Sequence, residues 1–231
     1  MPLFLTKRDR DAREKMDNPD CDRELLFNTY RQFETVNKLV GGWSRIYKNF
    51  LRPVLKEADK KPSLLDIGCG GGDLVSYLAK LSKQDGLDLQ ITGIDPDPRA
   101  IEFAHQNNSE EHTRFLNIDS TELAATGNKF DIVISNHLLH HLTETELLSV
   151  CIDAEQLTRR LALFNDIERS DIGFTAFSLV SPIFFRNSFI SEDGITSIKR
   201  SYRQHELQQA LPDHWQVKRL FPFRLLALFE K

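Results

Sequence analysis

The chain is predicted to adopt an α/β fold: a doubly wound, mostly parallel seven-stranded sheet closed by a C-terminal antiparallel hairpin, with an N-terminal helical extension. Three observations predict it. Between Ser63 and Ile167 short apolar runs alternate with amphipathic stretches, which implies parallel strands joined by crossover helices. The first of these runs leads directly into the glycine-rich stretch "DIGCGGGD", residues 66–73. The last two runs, in "WQVKRLFPFRLLALFEK", are joined only by Phe221-Pro222-Phe223, which fits an antiparallel pair.

Taken in order, the chain begins with a densely charged segment of mixed sign, residues 6–24, read as a solvated helix or frayed tail. From Leu25 the texture changes. Phe33, Val36, Val40, Trp43, Tyr47 and Phe50 fall at the spacing of one helix face, and Gly41-Gly42 should break that helix in two, with Pro53 near its end. "SLLDI" is the first strand and "DLVSYLAKLSKQ" its helix. "LQITGI" is the second strand, followed by a helix with Asp97 at the N-cap and Pro98 at its first position. "TRFLNI" and "FDIVIS" are the third and fourth strands. "LTETELLSVCIDAEQL" is a helix whose Thr143 and Glu146 have capping-box spacing, and "RRLALFNDI" is the fifth strand. An irregular apolar stretch, "IGFTAFSLVSPIFF", is followed by "RNSFISEDG" and a helix over "SIKRSYRQHELQQAL". The expected organisation is a helical cap over residues 1–60 and a main domain over 61–231, with an insertion at about 167–200.

The composition sets limits on function. Of 231 residues, 40% are hydrophobic and 28% charged, as in ordinary globular proteins. A net charge of −4 gives no basic field to hold a nucleic-acid backbone, so no nucleic-acid partner is expected. Cys21, Cys69 and Cys151 are scattered without a CxxC pair and read as free thiols, with neither a disulfide framework nor a metal site. The apolar start "MPLFL" is short for a signal peptide and no run reaches membrane-spanning length, so a cytoplasmic location and no membrane partner are expected.

The glycine turn discriminates between ligands. A dinucleotide fingerprint would need glycine at position 73, where this chain has aspartate, and a carboxylate there repels a pyrophosphate. No GKS or GKT comes after it, which excludes a P-loop. Asp66 and Asp73 frame the turn with negative charge, which suits a cationic group. Asp95 ends the second strand at about the 20-residue distance from which an acid reaches ribose hydroxyls. Asp119, in "LNIDS", lies after the third strand, where a carboxylate can accept from an adenine amine. A cationic amino acid, a ribose and an adenine together describe S-adenosylmethionine.

"LLDIGCGGGD", "ITGIDPDP", "RFLNIDS" and "FDIVISNHLLHHL", in this order, resemble the class I S-adenosylmethionine-dependent methyltransferases over roughly residues 60–165. The short loops look like the small-molecule enzymes of quinone-biosynthesis type. "MDNPDCDRELLFNTYRQFETVNKLVGGW" and "FNDIERS" are similar to bacterial relatives found beside type III polyketide synthases. The resemblance implies that Gly68, Gly70 and the backbone of Cys69 line the methionine part of the cofactor, with Asp66 and Asp73 near its ammonium. It places Asp95 on the ribose, Pro96 against the adenine, Asp119 and Ser120 beside the adenine amine, and Asn136 beneath the sulfonium.

The acceptor is read from the residues after the fourth strand. The Pro-Pro-Tyr sequence of amino-methyltransferases is absent and "SNHLLHHL" stands there, which disfavours nucleic-acid and protein acceptors and leaves a small molecule. His137, His140 and His141 cluster in it, and an imidazole can remove a phenolic proton. His141 is the first candidate for that base and His140 the second; the structural alternative is that these rings cap the next helix or pack beneath the site. Residues 172–185, with helix residues 25–50, would wall an apolar pocket. The expected acceptor is a hydroxyl of a phenolic polyketide or quinol. Alternatives are a non-aromatic small acid or amine, and a non-catalytic relative that binds the cofactor and acts through a partner. A nicotinamide dehydrogenase is disfavoured by Asp73 and by the lack of a recognisable Tyr-x-x-x-Lys.

Overall fold

The computed structural model describes residues 3–58 and 61–231. Its seven strands are β1 (Ser63–Ile67), β2 (Gln90–Ile94), β3 (Thr113–Leu116), β4 (Phe130–Asn136), β5 (Thr158–Ile167), β6 (Gln216–Leu220) and β7 (Arg224–Glu230). They form one sheet in the order β3-β2-β1-β4-β5-β7-β6. The first five strands pair in parallel, and β7 runs antiparallel between β5 and β6. This is the predicted class. The strand order reverses between β1 and β4, so the crevice above their C-terminal ends is where such a sheet takes a ligand.

Both faces of the sheet are covered, which is why its strands are almost continuously apolar. Leu64, Ile132, Ile134, Leu163 and Leu226 pack beneath α4 (Asp73–Gln84) and the N-terminal helices α2 (Trp43–Ile46) and α3 (Arg52–Lys56). A π-helical turn, Tyr47–Leu51, joins those two. Leu65, Val133, Phe164 and Leu225 face α7 (Glu144–Leu157) and α10 (Gln204–Ala210), around a fully buried Trp215. A third cluster joins Leu26 and Tyr30 of α1 (Arg23–Leu39) to Ala100 and Phe103 of α5 (Pro98–Asn107) and to Phe189. The N-terminal helices thus divide: α2 and α3 belong to the main core, while α1 lies over α5 at the ligand end.

Local signals were realised where they were strong. Asp97 caps α5 with Pro98 in its first turn, and Thr143 and Glu146 form a reciprocal capping box on α7. Gly42, at φ 73°, ends the run of α1 and starts α2, a conformation that glycine adopts without steric cost.

Three expectations are corrected by tertiary contacts. The charged segment 6–24 is not a solvated tail, and only its last two residues, Arg23 and Glu24, are helical, at the start of α1. Residues 6–22 form a strap of bends and turns: Arg8 donates to Arg200 O and lies over the Tyr202 ring, Asp193 accepts from the N–H groups of Lys15 and Met16, and Glu14 is buried. Residues 172–185, read as irregular, lie in α8 (Asp171–Phe184), which is capped by Ser170 and continues through Pro182. Ile172, Leu179, Ile183 and Phe184 of this helix are exposed, so that part of the expected pocket wall faces outward. The predicted helix over 197–211 is two, α9 (Ile190–Arg200) and α10, because Tyr202 O is drawn out to accept from Arg169 N. Among the described residues no helix is long and apolar enough to cross a membrane.

Arg169 ties the strap to these late elements. Its guanidinium is buried and donates to Leu5 O, Ser201 O and both carboxylate oxygens of Glu206. Arg169→Met removes one partner of a largely buried pair and should lower stability by about 3–5 kcal/mol, read from urea unfolding at pH 7. A loss below about 1 kcal/mol, as for a surface pair, would contradict this account.

Candidate cofactor and acceptor site

The stretch between β1 and α4 is bare backbone. Gly68, Gly70 and Gly72 have φ of 71°, 52° and 77°, a region L side chains rarely adopt, so the turn requires glycine there. A Cβ on Gly70 would meet nothing within 4 Å: this is the side open to a ligand. On Gly71, by contrast, it would strike Tyr30 and Phe103, so α1 and α5 close over the turn from the other side.

Three carboxylates surround this turn. Asp66 is buried on β1 and its Oδ1 has no hydrogen-bond partner. Burial, then the charges of Asp73 and Asp95, raise its carboxyl well above the usual range. Asp73, at the first position of α4, is pushed up to about 6, chiefly by burial and against the hydrogen bond from Asn37. Asp95 is raised by burial too, although Gly70 N–H (2.9 Å) and Asp97 N–H (2.9 Å) donate to it. Buried carboxylates whose pKa values rise by burial without a cation are matched to a positively charged ligand group.

A chain of amides runs beside them. Asn37 Nδ2 donates to Asp73 Oδ2 at 2.9 Å, and its Oδ1 accepts from Asn136 Nδ2 at 3.0 Å. Asn165 Nδ2 donates to Asn136 Oδ1 (3.2 Å) and to Gly41 O (2.9 Å). Residues from α1, β4, β5 and the turn are thereby fixed relative to one another.

The predicted cofactor residues fall into two groups. Asp66, Gly68, Cys69, Gly70, Asp73, Asp95 and Asn136 lie along the C-terminal ends of β1, β2 and β4 and the turn. Cys69 is buried against Gly93, its thiol raised well above the ordinary range by burial. Pro96 is exposed beside Asp95. Asp119 caps α6 (Ser120–Ala125), where Oδ1 accepts from Glu122 N–H. The Ser120 hydroxyl donates its hydrogen to Asp153 at 2.7 Å.

The histidines differ sharply from one another. His137 has φ 58°, and its Nε2 lies 2.9 Å from Arg224 Nη1; burial and that cation hold the ring neutral. His140 is fully buried, with Nδ1 2.7 Å from Asp166 Oδ1 and Nε2 3.3 Å from Glu14 Oε1. Burial opposes its charge, but these carboxylates outweigh it and raise the ring to about 9. The ring proposed as the second candidate for the base is thus drawn toward its charged form. His141 is about a quarter exposed (24%), with Nδ1 3.2 Å from Asp17 Oδ2.

Sequence reasoning missed Glu14, Asn37, Asn165, Asp166 and Arg224. "FND" at the end of an apolar strand was a usable signal for two of them, since polar side chains there face the crevice. Glu14 sits in a charge run and Asn37 on a helix, and nothing local marks either.

Residues 64–160 match a family model described as a methyltransferase domain. The chain is 34% identical over 119 residues to malonyl-(acyl-carrier protein) O-methyltransferase of Acetivibrio thermocellus, covering 50% of this chain and 39% of that one. It is 37% identical over 83 residues to ubiquinone biosynthesis O-methyltransferase of Cereibacter sphaeroides, covering 35% of this chain and 31% of that one. It therefore spans less than half the length of these relatives. The plantazolicin methyltransferase BpumL in complex with SAH superposes with a TM-score of 0.61 over 90% of this chain and 95% of that one, at 16% identity, which shows a shared fold.

The raised Asp73 sets a pH dependence. A ligand carrying an ammonium group binds the ionised carboxylate, so below about pH 6 binding must displace a proton. Affinity for S-adenosylmethionine should rise with pH by up to about tenfold per unit below that value and level off above it. Calorimetric titration from pH 5 to 8 would show this, and Asp73→Asn should flatten the component near pH 6. An identical slope in both proteins would remove Asp73 from the ligand's surroundings.

Proposed function

We propose, for a chain that is a class I methyltransferase by its fold and by the family of residues 64–160, that it transfers a methyl group from S-adenosylmethionine to a small molecule. The observation that carries this reading is the trio Asp66, Asp73 and Asp95 around the open backbone of Gly70, with Asp66 Oδ1 unpartnered. When bound, S-adenosylmethionine supplies an activated methyl group on a cationic sulfur, and its ammonium supplies the charge this trio lacks. Asp66 and Asp73 hold that ammonium, and the backbone of Gly68, Cys69 and Gly70 lines the methionine. Asp95 accepts from the ribose hydroxyls, while Pro96, Asp119 and the Ser120 backbone border the adenine. Asn136, held by Asn37 and Asn165, fixes the floor beside the sulfur.

The acceptor in this reading is an aromatic hydroxyl compound, a phenolic polyketide or quinol, methylated in the cytoplasm. The names of the relatives, O-methyltransferases in ubiquinone biosynthesis and on malonyl-(acyl-carrier protein), support transfer to oxygen. Holding acceptor and methyl in line is the larger part of the catalysis, since such positioning can lower a barrier by up to about 7–11 kcal/mol. His141, less enclosed than His140, receives the acceptor's proton. One observation favours a small carboxylic acid as a second reading. Among the described residues the buried Arg224 guanidinium donates only to Val40 O and the neutral His137, which leaves N–H groups for an anionic group.

S-adenosylmethionine and S-adenosylhomocysteine should raise the melting temperature, whereas NAD should not. Asp95→Ala should abolish most of that shift, because each hydrogen bond to a charged acceptor contributes about 1.5–3 kcal/mol. Stabilisation by NAD alone would end the reading. Once a phenol or acid acceptor is found by screening, its kcat/KM tests the role of His141. His141→Ala should lower it about 10²–10⁴-fold with cofactor affinity unchanged. Full activity in that variant would leave positioning alone to explain the rate.

A further inference from the structure

We infer that Glu14, His140 and His141 form a binding site for one divalent transition-metal ion, with the ligand chemistry of zinc. The strap brings Glu14 to the turn after β4, and the three side chains present one ligand atom each to a common point, all within 4.8 Å of one another. Glu14 Oε1 lies 3.3 Å from His140 Nε2 and 3.6 Å from His141 Nε2. Metal bonds of about 2.0–2.1 Å at tetrahedral angles separate ligand atoms by about 3.3–3.4 Å, close to the two separations from Glu14, while the two imidazole nitrogens lie within 4.8 Å of each other.

A second observation is independent of the spacing. His140 Nε2 is buried and makes no hydrogen bond, although a carboxylate oxygen is 3.3 Å away. The ring's other nitrogen is engaged by Asp166 at 2.7 Å. Nε2 and the Glu14 oxygen face each other at 3.3 Å without the geometry of a hydrogen bond, so the positive charge between them is either the ring's own second proton, poorly aligned, or a metal ion that takes its place. His141 repeats the pattern, its Nδ1 paired with Asp17 at 3.2 Å and its Nε2 turned toward Glu14. Carboxylates on the far nitrogens of both rings are the usual support of metal-bound histidines, because they fix the tautomer and the ring plane. Ser197 Oγ donates to Glu14 Oε1 at 2.7 Å and orients the third ligand.

The donor set also selects the ion. Two imidazoles and one carboxylate suit Zn²⁺, while Mg²⁺ and Ca²⁺ prefer all-oxygen shells. Three protein ligands leave the fourth position of a tetrahedral ion open for a water or an acceptor heteroatom. The expectation of no metal site rested on scattered cysteines, which bears only on thiolate ligands. With the ion bound, the histidines serve as its ligands, and the proton-accepting role of His141 belongs to the metal-free chain.

Tag-free protein, stripped with a chelator and then incubated with Zn²⁺, should retain one equivalent after desalting, unaffected by excess Mg²⁺. Co²⁺ in its place should give the intense visible absorption of a four-coordinate ion. Glu14→Gln and His141→Ala should each lose both signals, and Asp17→Asn should weaken Zn²⁺ binding about 10–100-fold. His141 is part-exposed, so its alanine variant tests the site with the fold checked by circular dichroism. Wild type that binds no zinc, or a folded His141→Ala variant that keeps the full equivalent, overturns the inference. Neither readout involves S-adenosylmethionine or an acceptor, so failure here is separable from failure of the proposed transfer.

Discussion

Carboxylates buried near one another repel, and here three of them, Asp66, Asp73 and Asp95, surround one turn of exposed backbone. Much of the ligand end is arranged to keep them there. The turn alternates left-handed glycines so that Gly70 N–H can point at Asp95. Asn37 reaches across from α1 so that Asp73 has at least one neutral donor. The remaining imbalance shows at Asp66, whose Oδ1 accepts from no group among the described residues. A protein tolerates such a defect where a ligand corrects it, and the sign of the defect is what identifies a cationic ligand.

The sheet was legible because alternation of apolar runs and amphipathic stretches constrains topology before any contact is known. Asp66 and Asp95 were legible as candidates because they stand at strand ends, where a parallel sheet exposes side chains to its crevice, and Asp73 because it follows the glycines at the start of α4. The amide chain was not. Asn37 lies mid-helix and acts only because α1 crosses α4, a tertiary event without a local signature. Hydropathy likewise failed to place α8, whose apolar residues are split between half-buried and exposed positions.

The strap shows how composition can mislead. Mixed charges in sequence normally indicate a solvated segment, since exposed ion pairs are worth little. Glu14 departs from that rule because it is shielded from water and faces two histidines. Arg8 departs from it by donating to a main-chain carbonyl and stacking on Tyr202. The same residues that look generic on paper complete the turn after β4 from outside.

The strap has a consequence for the order of events during synthesis. Arg8 contacts the carbonyl of Arg200, 192 positions away. At ordinary elongation rates, about 5–20 residues per second, Arg200 appears roughly 10–40 s after Arg8. Through that interval the glycine turn and the first four parallel strands can already be in place, while the strap has nothing in α9 to dock on. Glu14 and Asp17 therefore reach the histidines last, and a ribosome-bound chain holds the crevice at the glycine turn before it holds the neighbouring corner. The two halves of this molecule mature on separate clocks, because translation turns sequence separation into delay.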